Sequence, residues 1–184
     1  MFVDIFNTDK KYNIIYADPP WKYKCWYKSE TVKRNAADHY NVMPTADIKE
    51  IPVKYITADN AVCIMWVTYP CLKDGIELLE AWGFNYKTVA FTWVKKNKKS
   101  DSWFVGLGNY TRANAEIALL GTKRKGLPRI SKSVRQILDN RIEEHSKKPD
   151  ETRERIVQLF GDIPRIELFA RQHADGWDCW GNEC

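Results

Sequence analysis

The chain has 184 residues, 44% of them hydrophobic, enough for one domain (1–184) with a full core and too few for two comfortable ones. No apolar run approaches the roughly 18 residues of a membrane span, and the opening Met-Phe-Val-Asp-Ile-Phe has neither a basic stretch nor a cleavage site, so a cytoplasmic protein with no membrane role is expected. Five cysteines without a Cys-x-x-Cys pair argue against a disulfide framework or structural zinc, while a net charge of +5, gathered into residues 95–99 and 123–135, suits polyanionic partners as readily as solvated loops.

The first element is an apolar strand at 13–17 that ends in Asp18, Pro19, Pro20 and Trp21. Proline fixes φ and has no N–H, so this turn holds the Asp18 carboxylate and the Pro19 carbonyl in place as acceptors. With an indole beside them as a stacking face, the group suits a planar base bearing an amino group. Residues 22–41 show no helical or alternating pattern and interleave Lys22, Tyr23, Lys24, Trp26, Tyr27 and Lys28, which suits a loop that meets phosphates and base faces. A surface loop without a ligand is the plain alternative.

A short helix capped by Thr45 is expected at 45–51, and a strand buried on both faces at 61–67, where seven apolar residues run together. Leu72, Ile76 and Leu79 predict a helix over 70–82, opened by Pro70 and closed by Gly83. Residues 86–94 alternate as a third strand, with Val89, Phe91 and Trp93 on one face. The glycine-rich stretch 100–112 precedes a strand at 113–121 and not a helix, which speaks against a nucleotide-phosphate loop. Residues 133–145 read equally as a helix or, over 134–138, as a short strand. Lys148, Pro149, Asp150 and Glu151 open a helix that carries Ile156, Leu159 and Phe160 and stops at Gly161. A last clear strand at 165–170 runs into Arg171. Strands alternating with helices indicate an α/β fold with a mostly parallel sheet, whose ligands bind beyond the carboxyl ends of the strands. Asp18 and Arg171 are therefore expected on one rim.

In chain order, Tyr-Ala-Asp-Pro-Pro-Trp (16–21), Met-Trp-Val-Thr (65–68), Trp-Val-Lys (93–95), Asn-Ala-Glu-Ile-Ala-Leu-Leu-Gly (114–121), His-Ser-Lys-Lys-Pro-Asp-Glu (145–151), Glu-Leu-Phe-Ala-Arg (167–171) and Gly-Trp-Asp-Cys-Trp-Gly-Asn-Glu (176–183) form a recognisable set. It resembles the adenine amino-group methyltransferases that include the catalytic subunit of the eukaryotic messenger-RNA enzyme and its bacterial and phage relatives. The resemblance implies a Rossmann-like domain that uses S-adenosylmethionine, with the catalytic turn ahead of the cofactor-binding segments and no metal. It implies catalytic roles for Asp18, Pro19, Pro20 and Trp21, cofactor contacts at Lys148, Arg171, His173, Asn182 and Glu183, and acceptor contacts at Tyr40 and Glu116. It also favours a strand at 134–138. Lys148 and Arg171 suit the methionine carboxylate, and Asn182 with Glu183 suit the ribose hydroxyls. Two departures stand out. Only residues 1–11 precede the first strand, where some relatives carry a segment that helps hold the cofactor's adenine, and Ala174 stands where the eukaryotic enzyme has asparagine.

The expected reaction is methyl transfer to the 6-amino group of adenine in nucleic acid, DNA before RNA, in a small basic domain of bacterial or phage type. An RNA enzyme, the same chemistry on cytosine, and a catalytically silent nucleic-acid-binding subunit are the alternatives, and the intact Asp18 turn argues against the last. Specificity is expected from residues 22–41, 95–112 and 122–133, or from a homodimer or protein partner. In a duplex the target base must leave the stack, and residues 23–40 are the expected holder.

Overall fold

In chain order the elements are β1 (Tyr12–Ala17), α1 (Thr45–Lys49), α2 (Val53–Ile56), β2 (Thr57–Val67), α3 (Leu72–Ala81), β3 (Asn85–Val94), β4 (Ala115–Lys123), β5 (Ile137–Leu138), α4 (Glu151–Phe160), β6 (Arg165–Leu168) and β7 (Asp178–Trp180). The computed structural model describes residues 1–22, 42–108, 110–144 and 147–184. Tyr40, the aromatic loop at 23–41, and His145 lie outside the described residues.

The strands join in one sheet of order β5-β3-β4-β2-β1-β6-β7. The β1–β2, β1–β6, β6–β7 and β3–β5 pairs are parallel, whereas β4 runs against both β2 and β3. The sheet is thus mostly parallel, with one reversed strand. β2 explains the layering. Its alternate residues Ala61, Cys63, Met65 and Val67 pack with Ile48, Val53, Leu78 and Trp82 from α1, α2, α3 and the end of α3. Val62, Ile64 and Trp66 point the other way, against Ile156 and Phe160 of α4. An unbroken apolar strand needs cover on both faces, and helices supply it.

Several local expectations are corrected. Thr45 is the first helical residue and not the cap: Pro44 holds the cap position, and no side-chain cap bond forms. The expected 70–82 helix opens as a 3-10 turn at Tyr69–Cys71 before α3 begins. Val89 does not share a face with Phe91 and Trp93, because the β3–β4 register shifts between Val89 and Phe91 and a bulge moves following side chains to the other face. Among the described residues of the ambiguous stretch, 133–144, the regular element is the short strand β5, beside β3. Gly161, at φ 92°, ends α4 where a side chain would strain the backbone. Met1 to Val3 extend the sheet edge: Phe2 bridges Cys179 in parallel, and Val3 N–H donates to the Cys179 carbonyl at 2.9 Å.

Candidate active site

Because β1, β2, β3, β6 and β7 run one way and β4 the other, the ends of the first five and the beginning of β4 share one rim. Asp18 follows β1, Lys95 follows β3, Arg171 follows β6, Asn182 follows β7, and Glu116 stands at the start of β4. Lys148 joins them from the segment that leads into α4. Ala17 pairs with Leu168, and the Asp18 N–H donates to the Leu168 carbonyl at 3.4 Å, so Asp18 and Arg171 leave adjacent strands together.

The charged centre is a short chain of ion pairs. Lys148 Nζ lies 3.0 Å from Asp18 Oδ2 and 3.3 Å from Glu116 Oε2, and Lys95 Nζ lies 2.5 Å from Glu116 Oε1. All four side chains are 13–19% exposed. One ammonium is therefore shared between two carboxylates, and the two acids are not served equally. Burial works against the charge of Glu116, but Lys148 and Lys95 outweigh it and bring its pKa down to about 2. Burial raises the carboxyl of Asp18 above the ordinary range, and the neighbouring Glu116 adds to this while Lys148 and Arg171 oppose it. Lys148 is held firmly protonated: burial disfavours its charge, and Asp18 and Glu116 more than compensate.

The turn itself differs from its expected geometry in one respect. Trp21 is only 4% exposed, packs into the core on the α3 side, and donates its indole N–H to the Trp66 carbonyl at 2.9 Å. Its faces are taken by the core, so Trp21 anchors the turn and offers no open stacking platform. The Pro19 carbonyl accepts the Trp21 N–H at 2.8 Å and the Pro20 carbonyl accepts the Met43 N–H at 3.0 Å. The Pro19 oxygen keeps a second lone pair for an amino hydrogen.

On the neighbouring strand, Phe169 has φ 61°, a left-handed conformation that costs a bulky residue roughly 1–3 kcal/mol. It turns the chain at the rim just before Arg171. Gly181 lies against the backbone of Ala170 and Phe169, where any side chain would collide, and Asn182 and Glu183 follow as exposed residues. His173 is not brought to this rim. It lies on the return stretch to β7, its Nε2 2.8 Å from the Met1 ammonium. There it lines a cavity of about 520 Å³ with Lys10, Tyr12, Arg165 and Trp177, at the amino-terminal ends of β1, β6 and β7. The family resemblance groups it with Arg171, two residues earlier in the chain. The basic run that begins at Lys123 is likewise at the far end, since Ala61, early in β2, pairs with Lys123.

Lys95 is the site residue that sequence reasoning left unassigned. The available signal was its position directly after an alternating strand, the same placement that singled out Asp18. A further group supports the rim from beneath. Arg153 of α4 grips Glu167 of β6 through both carboxylate oxygens, at 2.7 and 2.9 Å, and also binds Asp150 at 2.5 Å, which fixes the start of α4 and with it Lys148. Tyr16 and Trp66 add a buried hydrogen bond of 2.7 Å between β1 and β2.

Among the described residues no helix is long and apolar enough to cross a membrane, and no cluster of His, Cys, Asp and Glu could hold a metal ion. Comparison with known proteins gives a match to the MT-A70 family model over residues 12–183. The chain is 38% identical to a type II methyltransferase, M.MunI, from Mycoplasma sp, over 95% of this chain and 78% of that protein. It is 27% identical to the human N(6)-adenine-specific methyltransferase METTL4, over 97% of this chain and 39% of that protein. With the Arabidopsis thaliana N(6)-adenosine-methyltransferase MT-A70-like it shares 26% identity, over 98% of this chain and 24% of that protein. The chain thus spans most of the first relative and well under half of the other two.

Proposed function

The chain belongs to the MT-A70 family, a family of S-adenosylmethionine-dependent methyltransferases, and on that premise we propose that it methylates the exocyclic 6-amino group of adenine in DNA. The observation that carries this reading is the Asp18 carboxylate, buried on the rim with one oxygen held by Lys148 and a protein environment that resists its charge. DNA is preferred to RNA because the relative of which this chain covers 78% is a type II methyltransferase.

S-adenosylmethionine supplies an electrophilic methyl group when bound. Lys148, Arg171, Asn182 and Glu183 are the residues that would hold it. Their chemistry fits: two cations suit a carboxylate, and an exposed amide and carboxylate suit hydroxyls. The five rim side chains Asp18, Glu116, Lys95, Lys148 and Arg171 sum to one positive charge, which an added carboxylate would balance.

The 6-amino nitrogen of adenine is a weak nucleophile because its lone pair is delocalised into the ring. Asp18 and the Pro19 carbonyl accept its two hydrogens, favour the pyramidal nitrogen, and face the positive charge that develops there. Glu116 binds both Lys95 and Lys148 and serves the acceptor side by fixing their positions. Tyr40 completes the acceptor side in this reading. Orientation of the base contributes on the order of 7 kcal/mol or more. A cytoplasmic setting in a bacterium or phage-infected cell, with a homodimer or protein partner as a source of specificity, belongs to the same reading.

The test is methylation of DNA and RNA pools with labelled methyl donor, followed by nucleoside analysis, with Asp18→Ala as control. Label is expected as N6-methyladenine in DNA. Label in cytosine, or in neither pool with cofactor bound, would defeat the proposal.

A further inference from the structure

Between Lys95 and Glu116 the chain leaves the sheet and returns to it, because β3 ends on the rim and the reversed strand β4 starts there. The excursion is a stiff hairpin at its base. Lys95 N–H donates to the Asn114 carbonyl at 2.9 Å, Phe104 N–H to the Lys95 carbonyl at 2.8 Å, and Gly106 N–H to the Ala113 carbonyl at 2.8 Å. Lys96 and Trp103 form an antiparallel bridge, and the Lys96 ammonium lies 5.7 Å from the Trp103 ring centroid. Beyond that base the apolar side chains turn outward. Trp103 is 51% exposed, Val105 and Leu107 65%, and Tyr110 92%. Four large apolar side chains presented within eight residues are unusual on a surface that has no ligand to cover them.

The charge around this tip decides what covers it. Lys96, Lys98, Lys99 and Arg112 flank it, and the acidic residue within it, Asp101, is already bound by Arg141 at 3.0 Å. A second copy docked through the same patch would set these cations against one another. A polyanion with apolar surfaces between its charges would not. Both feet of the hairpin, Lys95 and Glu116, are members of the charged centre around Asp18, so whatever the tip touches lies next to the acceptor site.

We propose that Trp103, Val105, Leu107 and Tyr110 form a wedge that fills the space left in duplex DNA when the target adenine leaves the stack. This rests on the methyl-transfer reading above. Removing one base from a stack exposes the faces of its neighbours, and inserted apolar side chains can cover them while flanking lysines and arginine meet the phosphates. The target amino group can then reach Asp18, which no base inside an intact duplex could do.

The experiment uses the full chain and a short duplex with one abasic site, a stable mimic of the vacated stack, beside the intact duplex. The wild type is expected to bind the abasic duplex about tenfold more tightly, roughly 1.4 kcal/mol. The double variant Val105→Ser/Leu107→Ser is expected to lose this preference and keep its affinity for intact duplex, since the phosphate contacts remain. Both side chains are exposed, so an unchanged melting temperature verifies the fold. In parallel, the variant should lose about tenfold of its methylation of native DNA and stay within about twofold of wild type on heat-denatured DNA, which has no stack to open. No abasic preference in the wild type, or equal losses on native and denatured DNA, would overturn the wedge while leaving methyl transfer standing. A wild-type dimer that the double variant dissociates would also overturn it, by assigning the patch to a second copy. Absence of methylation on both substrates would instead remove the reading beneath it.

Discussion

Two buried ion clusters occupy neighbouring strands of the sheet, and they differ in how completely their acids are satisfied. Glu167 on β6 has both oxygens bound by Arg153, at 2.7 and 2.9 Å, in a planar fork that matches the carboxylate. Asp18, at the end of β1, has Lys148 on Oδ2 at 3.0 Å, and its other oxygen accepts no hydrogen bond from the described residues. Burial raises the carboxyl of each acid above its ordinary range, so desolvation alone does not separate them. The partner does. Arg153 is committed to structure, because it also binds Asp150 and orients α4. Lys148 is divided between Asp18 and Glu116, which leaves Asp18 with capacity for a ligand.

The largest effect should come from opening the closed pair. Glu167→Ala strands the Arg153 guanidinium among buried groups and is expected to cost about 3–5 kcal/mol in urea unfolding. A loss under about 1 kcal/mol would place the pair with ordinary surface bridges and erase the contrast. Asp18→Asn should behave in the opposite way. Methyl transfer is expected to fall about 10²- to 10³-fold, with the melting temperature unchanged or higher, since the ionised acid is disfavoured where it sits. A melting temperature lowered by several degrees would make Asp18 a structural residue instead.

Acid titration sharpens the comparison. Glu116 has a folded pKa depressed from 4.5 to about 2, so it contributes about 3 kcal/mol that is fully present above its unfolded pKa and lost as pH falls from 4.5 towards 2. Asp18 has the reverse sign: its raised pKa favours the fold while it is protonated, and that advantage is lost as pH rises through its folded value. Glu116→Gln should therefore flatten the acid limb of the stability curve measured by denaturant unfolding. The smallest effect is expected at the far end of the sheet. Removing the His173 ring, which meets the Met1 ammonium, by His173→Ala should change S-adenosylmethionine affinity by no more than about twofold in calorimetric titration. A tenfold loss would bring His173 back into the cofactor site.

Features set by local chemistry were legible in the residues. The apolar run of β2, the proline and glycine at the two ends of α4, and the Asp18 turn each follow from side chains within a few positions of one another. The family motifs added Lys148, Arg171, Asn182 and Glu183, which the parallel topology then gathered on one rim. What could not be read depends on partners distant in sequence. Whether β4 pairs parallel or antiparallel is settled by β2 and β3 and not by its own alternation. The side of the sheet reached by Val89 depends on a bulge against β4. Trp21 looked like a stacking face because a turn after a strand is usually open, but the core beneath β2 closes over it. Thr45 looked like a cap, yet Pro44 had already set the backbone there.

The reversal of β4 has a consequence for how such a domain can change its substrate. A parallel strand at that position would require a crossover through the body of the protein, and any change in its length would disturb packing on a whole face. An antiparallel neighbour needs only an outward loop, closed at its base by Lys95 and Asn114. Residues between Phe104 and Arg112 can be lengthened, shortened or exchanged while the two strands keep their register and Lys95 and Glu116 keep their places. If specificity resides in this loop, as expected for residues 95–112, grafting it from one relative to another should transfer target preference without rebuilding the site.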